Sequence, residues 1–167
     1  PTRSAYLERV SLMKKRDRII AIGDIHGDWE LTLKCLKLAK VLNKDCTNEN
    51  NAKWIGGNTV VVQIGDQVDR CRPMYNRECQ NKINETELLD DEHSDIRIMK
   101  FFTQLDNMAL KNKTNGKLDS GRVISLLGNH EILNSQKKMA YVSAKGLACY
   151  DNDCDEEKLL NSSKKEL

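Results

Sequence analysis

No stretch of this chain is both long and apolar. Nothing in its 167 residues approaches the roughly 18–20 apolar residues of a membrane span. The N-terminus, PTRSAYLERVSLMKKRDR, lacks the apolar run of a secretory signal. It also lacks an initiator Met, so a trimmed start is expected. Charge of one sign is missing too. The formal net charge is +2, from 27 Lys and Arg against 25 Asp and Glu. That balance implies no strongly basic face and argues against a dedicated nucleic-acid binder. No segment repeats. The six cysteines, at 35, 46, 71, 79, 149 and 154, never show the Cys-x2-Cys spacing of a zinc knuckle. The pairs Cys71/Cys79 and Cys149/Cys154 leave a disulfide or an auxiliary metal site open. Free intracellular thiols are the expected state, with a cytoplasmic setting as the default.

What is present fits one domain with a modest core. Hydrophobic residues are 39% and charged residues 31%, as in soluble globular proteins. Three short β-branched runs each stop at a glycine and a polar cluster: Ile19-Ile20-Ala21-Ile22 before Gly23-Asp24, Thr59 to Ile64 before Gly65-Asp66, and Val123 to Leu127 before Gly128-Asn129. Runs of this kind suit strands buried on both faces, as in a sheet covered by helices. Helical periodicity lies between them. From Asp28, a plausible N-cap, DWELTLKCLKLAKVL places Leu31, Cys35, Leu38 and Leu42 on one face. A second helix is expected from Ser94 or Asp95, with Ile98, Phe102, Leu105 and Met108 or Ala109 facing the core. A third is expected after Asn129, through HEILNSQKKMAYVSAK. Alternating strands and helices predict an α/β layered fold. Residues 1–17 read as an N-terminal extension and 18–150 as the domain, with insertions at 43–58 and 71–93. Residues 151–167 read as a charged tail.

In open α/β sheets, ligands sit beyond the carboxyl ends of the strands. The first strand end offers Asp24 and His26, which project to one side if the chain is extended. The second offers Asp66, Asp69 and Arg70, and the third Asn129, His130 and Glu131. This donor mixture suits divalent ions such as Mn²⁺, Fe²⁺ or Zn²⁺. Each piece alone has a plainer explanation. GDIHGD fits a strand-to-helix turn, GDQVDR a turn closed by a local Asp–Arg pair, and GNHE a loop entering a helix with Glu131 in its first turn. His93, within DDEHSD, reads as a surface residue. The conjunction is harder to dismiss, because all three motifs follow apolar strands directly.

Taken together, GDIHG, GDQVDR and GNHE resemble the first three motifs of the phosphoprotein phosphatase branch of the calcineurin-like metallophosphoesterases. The surrounding WIGGNTVVVQIGDQVDR, DDEHSDIRIMKFFTQL and LLGNHEILN look most like the Shewanella-like protein phosphatases. The resemblance covers roughly residues 18–135, and departs at Cys71, where relatives usually carry Gly. It implies a layered αββα-type metallophosphoesterase fold, incomplete in this chain. It also implies a dinuclear centre of Mn, Fe or Zn, with Asp24 and His26 on the first metal, Asp66 bridging, and Asn129 on the second. A bridging carboxylate offsets repulsion between ions about 3.5–4 Å apart. Hydroxide held by the metals would attack phosphorus in line. Arg70 and His130 would bind phosphate; His130 would also protonate the leaving oxygen, with Asp69 orienting it.

The resemblance further implies two later His ligands and a second phosphate-binding Arg. This chain has no His after His130 and no Arg after Arg122. Three explanations stand: part of a longer enzyme, a truncated non-catalytic binding module, or a site completed by a partner chain. A sheet without later strands would also expose an apolar face and an edge. Expected substrates are phosphoproteins, on Tyr or Ser/Thr, or small phosphate esters. The alternative substrates are nucleotides or dinucleoside polyphosphates. Neither nucleic acid nor membrane is expected as a partner.

Overall fold

The computed structural model describes residues 16, 18–71, 94–114, 117–118, 120–143 and 146–147. Its centre is a parallel sheet of three strands, β1 (Ile19–Ile22), β2 (Val60–Gln63) and β5 (Arg122–Ser125), in that spatial order. Helix α1 (Trp29–Leu38) connects β1 to β2, and α2 (Asp95–Lys111) lies between β2 and β5. A two-stranded ribbon of β3 (Lys113–Thr114) and β4 (Lys117–Leu118) precedes β5, and α3 (Asn129–Ser135) follows it. The expected α/β class and the three strands are those observed.

Both long helices cover the same face of the sheet. Leu33 and Leu36 from α1 join Ile98, Phe101, Phe102 and Leu105 from α2, over Ile22, Val61 and Val123. Side chains of this size contribute about 1.5–3 kcal/mol each on burial. Trp29 and Phe101 meet edge-on, with ring centroids 4.9 Å apart, a favoured aromatic geometry.

The expected two-sided burial holds for the central strand, where Val60 and Val61 on opposite faces are both fully buried, but not for β1. Strand register puts Ile19 and Ala21 on the face away from the helices. Both are exposed, as are Ile64 and Leu126 just past β2 and β5. A second correction concerns α1. Leu31 and Leu38 point outward, and the buried positions are Trp29, Thr32, Leu33 and Leu36. The row containing Trp29 buries more area than the aliphatic row chosen from periodicity, and so sets the rotation of the helix. Lys40, with φ +54°, ends that segment, so Leu42 lies beyond the helix. In α2 the expected face holds, with Phe101 added. Helix α3 is shorter than expected and stops before Lys137, whose φ is +60°.

Segment 43–58 is polar at its tip yet sends Cys46, Ala52 and Trp54 into the core. Asn43 Oδ1 accepts the Lys53 N–H at 2.7 Å, and Leu42 bridges Trp54. Arg97 of α2 ties this loop to the helices. Its Nη2 donates to Glu49 at 2.9 Å, and its guanidinium lies 3.8 Å from the centroid of the Trp29 ring. Cys35 and Cys46 are free thiols. Cys71 is disulfide-bonded, so the free-thiol expectation fails there. Cys79, Cys149, Cys154, His93 and nearly all of the 71–93 insertion lie outside the described residues.

The Arg97 hydrogen bond, opposed by burial, holds Glu49 below the usual carboxylate value of 4.5. A depressed carboxylate stabilises the fold above its unfolded pKa, and that contribution disappears as pH falls through the lower folded value. Glu49→Gln should therefore lower the urea midpoint above about pH 5.5, with the gap to wild type closing below about pH 4. A gap unchanged across that range would mean the ion pair contributes nothing.

Candidate metal and phosphate site

The loops after β1, β2 and β5 converge at the carboxyl end of the sheet. Gln63, fully buried, closes the ends of the first two. Its amide donates to the Gly23 and Gly65 carbonyls at 3.2 and 2.6 Å, and its Oε1 accepts the Gly65 N–H at 3.0 Å. The first loop then hangs on the second. The Ile25 and His26 N–H groups both donate to the Asp66 carbonyl at 3.0 Å, and Gly27 N–H donates to the Gln67 carbonyl at 2.8 Å.

Glu131 joins the second loop to the third. Its Oε2 accepts from Asp66 N and Gly128 N at 2.9 and 2.7 Å, and its Oε1 accepts from Gln67 N at 2.7 Å. The third contact is steric. A Cβ at Gly65, where φ is +106°, would fall onto the backbone of Gly128, and one at Gly128 would fall onto Asp66. Only glycine at both positions lets the loops close. Three site residues adopt left-handed backbone: His26 (φ +48°), Asp66 (φ +53°) and Asp69 (φ +68°). Such positions cost on the order of 1–3 kcal/mol each and persist only where surrounding structure enforces them.

One donor atom each from His26, Asp66 and His130 lies within 4.8 Å of the others. Two imidazole nitrogens and a carboxylate oxygen suit a borderline divalent ion, so these residues fit the metal that the sequence implies. The carboxylate of Asp24, largely exposed, lies 3.7 Å from His26 Nε2. His26 Nδ1 is 3.1 Å from the Val68 carbonyl, a contact that fixes the ring and leaves Nε2 to the cluster. Asn129 opens α3 and is exposed, whereas His130 beside it is buried. The His130 N–H donates to Asp66 Oδ1 at 2.9 Å, and its Nδ1 lies 2.9 Å from Asp69 Oδ2. That leaves the other ring nitrogen, Nε2, as the one available to a ligand. Arg70 does not stand alone, because its Nη1 is 2.9 Å from Asp28 Oδ2.

Several residues of this site were not singled out from sequence. Asn134 donates to Asp69 Oδ1 at 2.9 Å, and buried Asp95 accepts the Asp69 N–H at 3.1 Å. Tyr141 packs edge-on against the His130 ring, with centroids 4.7 Å apart, opposite His26 at 4.8 Å. Two signals were available: Asn134 lies one helical turn after His130, and Gln63 interrupts an apolar run just before Gly-Asp.

Fold and site together define a parallel α/β domain with a metal-binding cluster at its strand ends. The family model for calcineurin-like phosphoesterases matches residues 17–164, and the chain belongs to that family. It is 29% identical over 134 residues to Shewanella-like protein phosphatase 2 of Arabidopsis thaliana, covering 80% of this chain and 26% of that protein. With Shewanella-like protein phosphatase 1 of Plasmodium berghei it shares 31% identity over 147 residues, covering 88% and 31%. An uncharacterised protein of Schizosaccharomyces pombe is 31% identical over 144 residues, covering 86% and 33%. The chain thus spans about a quarter to a third of the length of these relatives. No solved structure matches it significantly. No described helix is long and apolar enough to cross a membrane.

The Glu131 clamp is testable. In Glu131→Gln a single amide oxygen cannot replace both carboxylate oxygens, so at least one N–H loses its charged acceptor. The expected cost is about 1.5–3 kcal/mol of stability in urea unfolding. Divalent-metal affinity should fall about 10–100-fold, because Asp66 is no longer held. Unchanged values of both would show the clamp to be incidental.

Proposed function

We propose that this protein is a metal-dependent phosphomonoester hydrolase acting on phosphoproteins. The observation that carries the proposal is the Asp69–His130 pair, set directly beside the cluster of His26, Asp66 and His130. The names of the relatives support the substrate class. His26 and Asp66 would hold divalent metal together with Asp24, and Asn129 would take part on the second ion. Bound there, the ions would neutralise phosphate charge and lower the pKa of a water.

The chain's own groups supply the rest. Asp69, 2.9 Å from His130 Nδ1 and braced by Asn134, fixes the orientation of the imidazole. His130 then donates a proton from Nε2 to the leaving oxygen. Arg70 places a guanidinium fork on the equatorial phosphate oxygens, where charge spreads in the transition state. The two later His ligands and the second Arg are not in this chain. The proposal therefore includes their supply by further polypeptide or by a partner chain. A cytoplasmic setting rests on the sequence reading alone.

The test is hydrolysis of an aryl phosphate with Mn²⁺, with metal content measured in parallel and Asp66→Asn as blank. His130→Asn should keep its metal and lose turnover by about 10²–10⁴. Loss of metal in His130→Asn would instead make His130 a ligand, in line with its place in the cluster. Phosphotyrosine and phosphoserine peptides set beside a dinucleoside polyphosphate then decide the substrate, and preference for the dinucleotide would refute the phosphoprotein reading.

A further inference from the structure

Asp28 divides its carboxylate between two tasks. Its Oδ1 accepts the Leu31 N–H at 2.7 Å and caps α1, while Oδ2 lies 2.9 Å from Arg70 Nη1. The backbone on either side of this pair is packed tightly. Gly27, at φ +66°, lets the first loop lie against the Asp95 carboxylate, on which a Cβ there would fall, and leaves it in van der Waals range of the Arg70 Cβ. Asp95 in turn accepts the N–H of Asp69, the residue before Arg70. The root of Arg70 is therefore fixed by loop packing, and its tip by Asp28.

We propose that Asp28 is a positioning residue that aims Arg70 for phosphate, so that one side chain both starts α1 and sets the phosphate grip. The proposal rests on the reading of Arg70 as a phosphate-binding residue. An unrestrained Arg loses the freedom of several rotatable bonds when it meets an anion, and pre-ordering it removes that loss from the binding step. Because Oδ1 is tied to the helix, the carboxylate is a fixed anchor and not a mobile competitor for the guanidinium. Charge and cap can be separated by mutation, since Asn caps a helix about as well as Asp but carries no charge.

The experiment is calorimetric titration of inorganic phosphate into the complete, Mn²⁺-loaded protein. It compares wild type, Asp28→Asn, Arg70→Ala and the double variant, with Tm recorded for each. Asp28→Asn should keep Tm within about 2 °C and weaken phosphate binding about three- to tenfold. In the Arg70→Ala background the same change should have no further effect, because a positioning role acts only through Arg70. Phosphate binding that is unchanged or tighter in Asp28→Asn overturns the proposal. So does an equal loss in both backgrounds, which a purely structural role would give. Arg70→Ala binding phosphate as wild type does would overturn the reading of Arg70 itself, and the proposal with it. If Asp28→Asn lowers Tm further than expected, Asp28→Ser supplies a second uncharged cap, and the coupling to Arg70 decides the matter in the same way.

Discussion

The site depends on the meeting of the second and third loops around Asp66. Three polar atoms of that residue are engaged: its N–H by Glu131, its carbonyl by the Ile25 and His26 N–H groups, and its Oδ1 by the His130 N–H. This arrangement needs Asp66 at φ +53° and needs glycine at both 65 and 128. The left-handed positions at His26, Asp66 and Asp69 cost on the order of 1–3 kcal/mol apiece. Charge-assisted hydrogen bonds, at about 1.5–3 kcal/mol each, are of the right size to offset them. Glu131 alone accepts three such bonds. A carboxylate that looked like a favourable first-turn residue is thus the tie between two strands.

The placement of the motifs was legible because it is local. Strand runs ending at Gly-Asp or Gly-Asn put Asp24, His26, Asp66, Asp69 and His130 at one end of a sheet, and the Asp28 cap followed from its position before a helical pattern. What sequence could not show depends on distant partners. The rotation of α1 follows from Trp29 meeting Phe101, 72 positions away, and no window of helical periodicity contains both. Asp95 and Asn134 brace Asp69 across 26 and 65 positions. An acid at a helix start and an amide one turn past His130 look ordinary until the loops are brought together.

The face of the sheet away from the helices is buried at Val60 but exposed towards the site, and this bears on how the site is held. Ile64 and Leu126, just past β2 and β5, are half-exposed at 50% and 46%, close to the loops that carry Asp66 and Asn129. Packing on that face therefore contributes little to loop position among the described residues. The other side differs, because Asp95 begins the helix that buries Phe101 and Phe102, and its carboxylate reaches Asp69.

The loops are consequently located by hydrogen bonds on their sheet end and by the α2 core behind them. Hydrophobic burial is non-directional and tolerates small shifts, whereas an acceptor shared by fixed N–H groups does not. Placing a donor atom to within a few tenths of an ångström is a task for the second kind of force. His26, Asp66 and His130 are each fixed through a backbone or ring hydrogen bond to a residue of a different strand's loop. The cluster can therefore keep its geometry whatever packs on the apolar face, so long as Glu131 and Asp69 keep their partners.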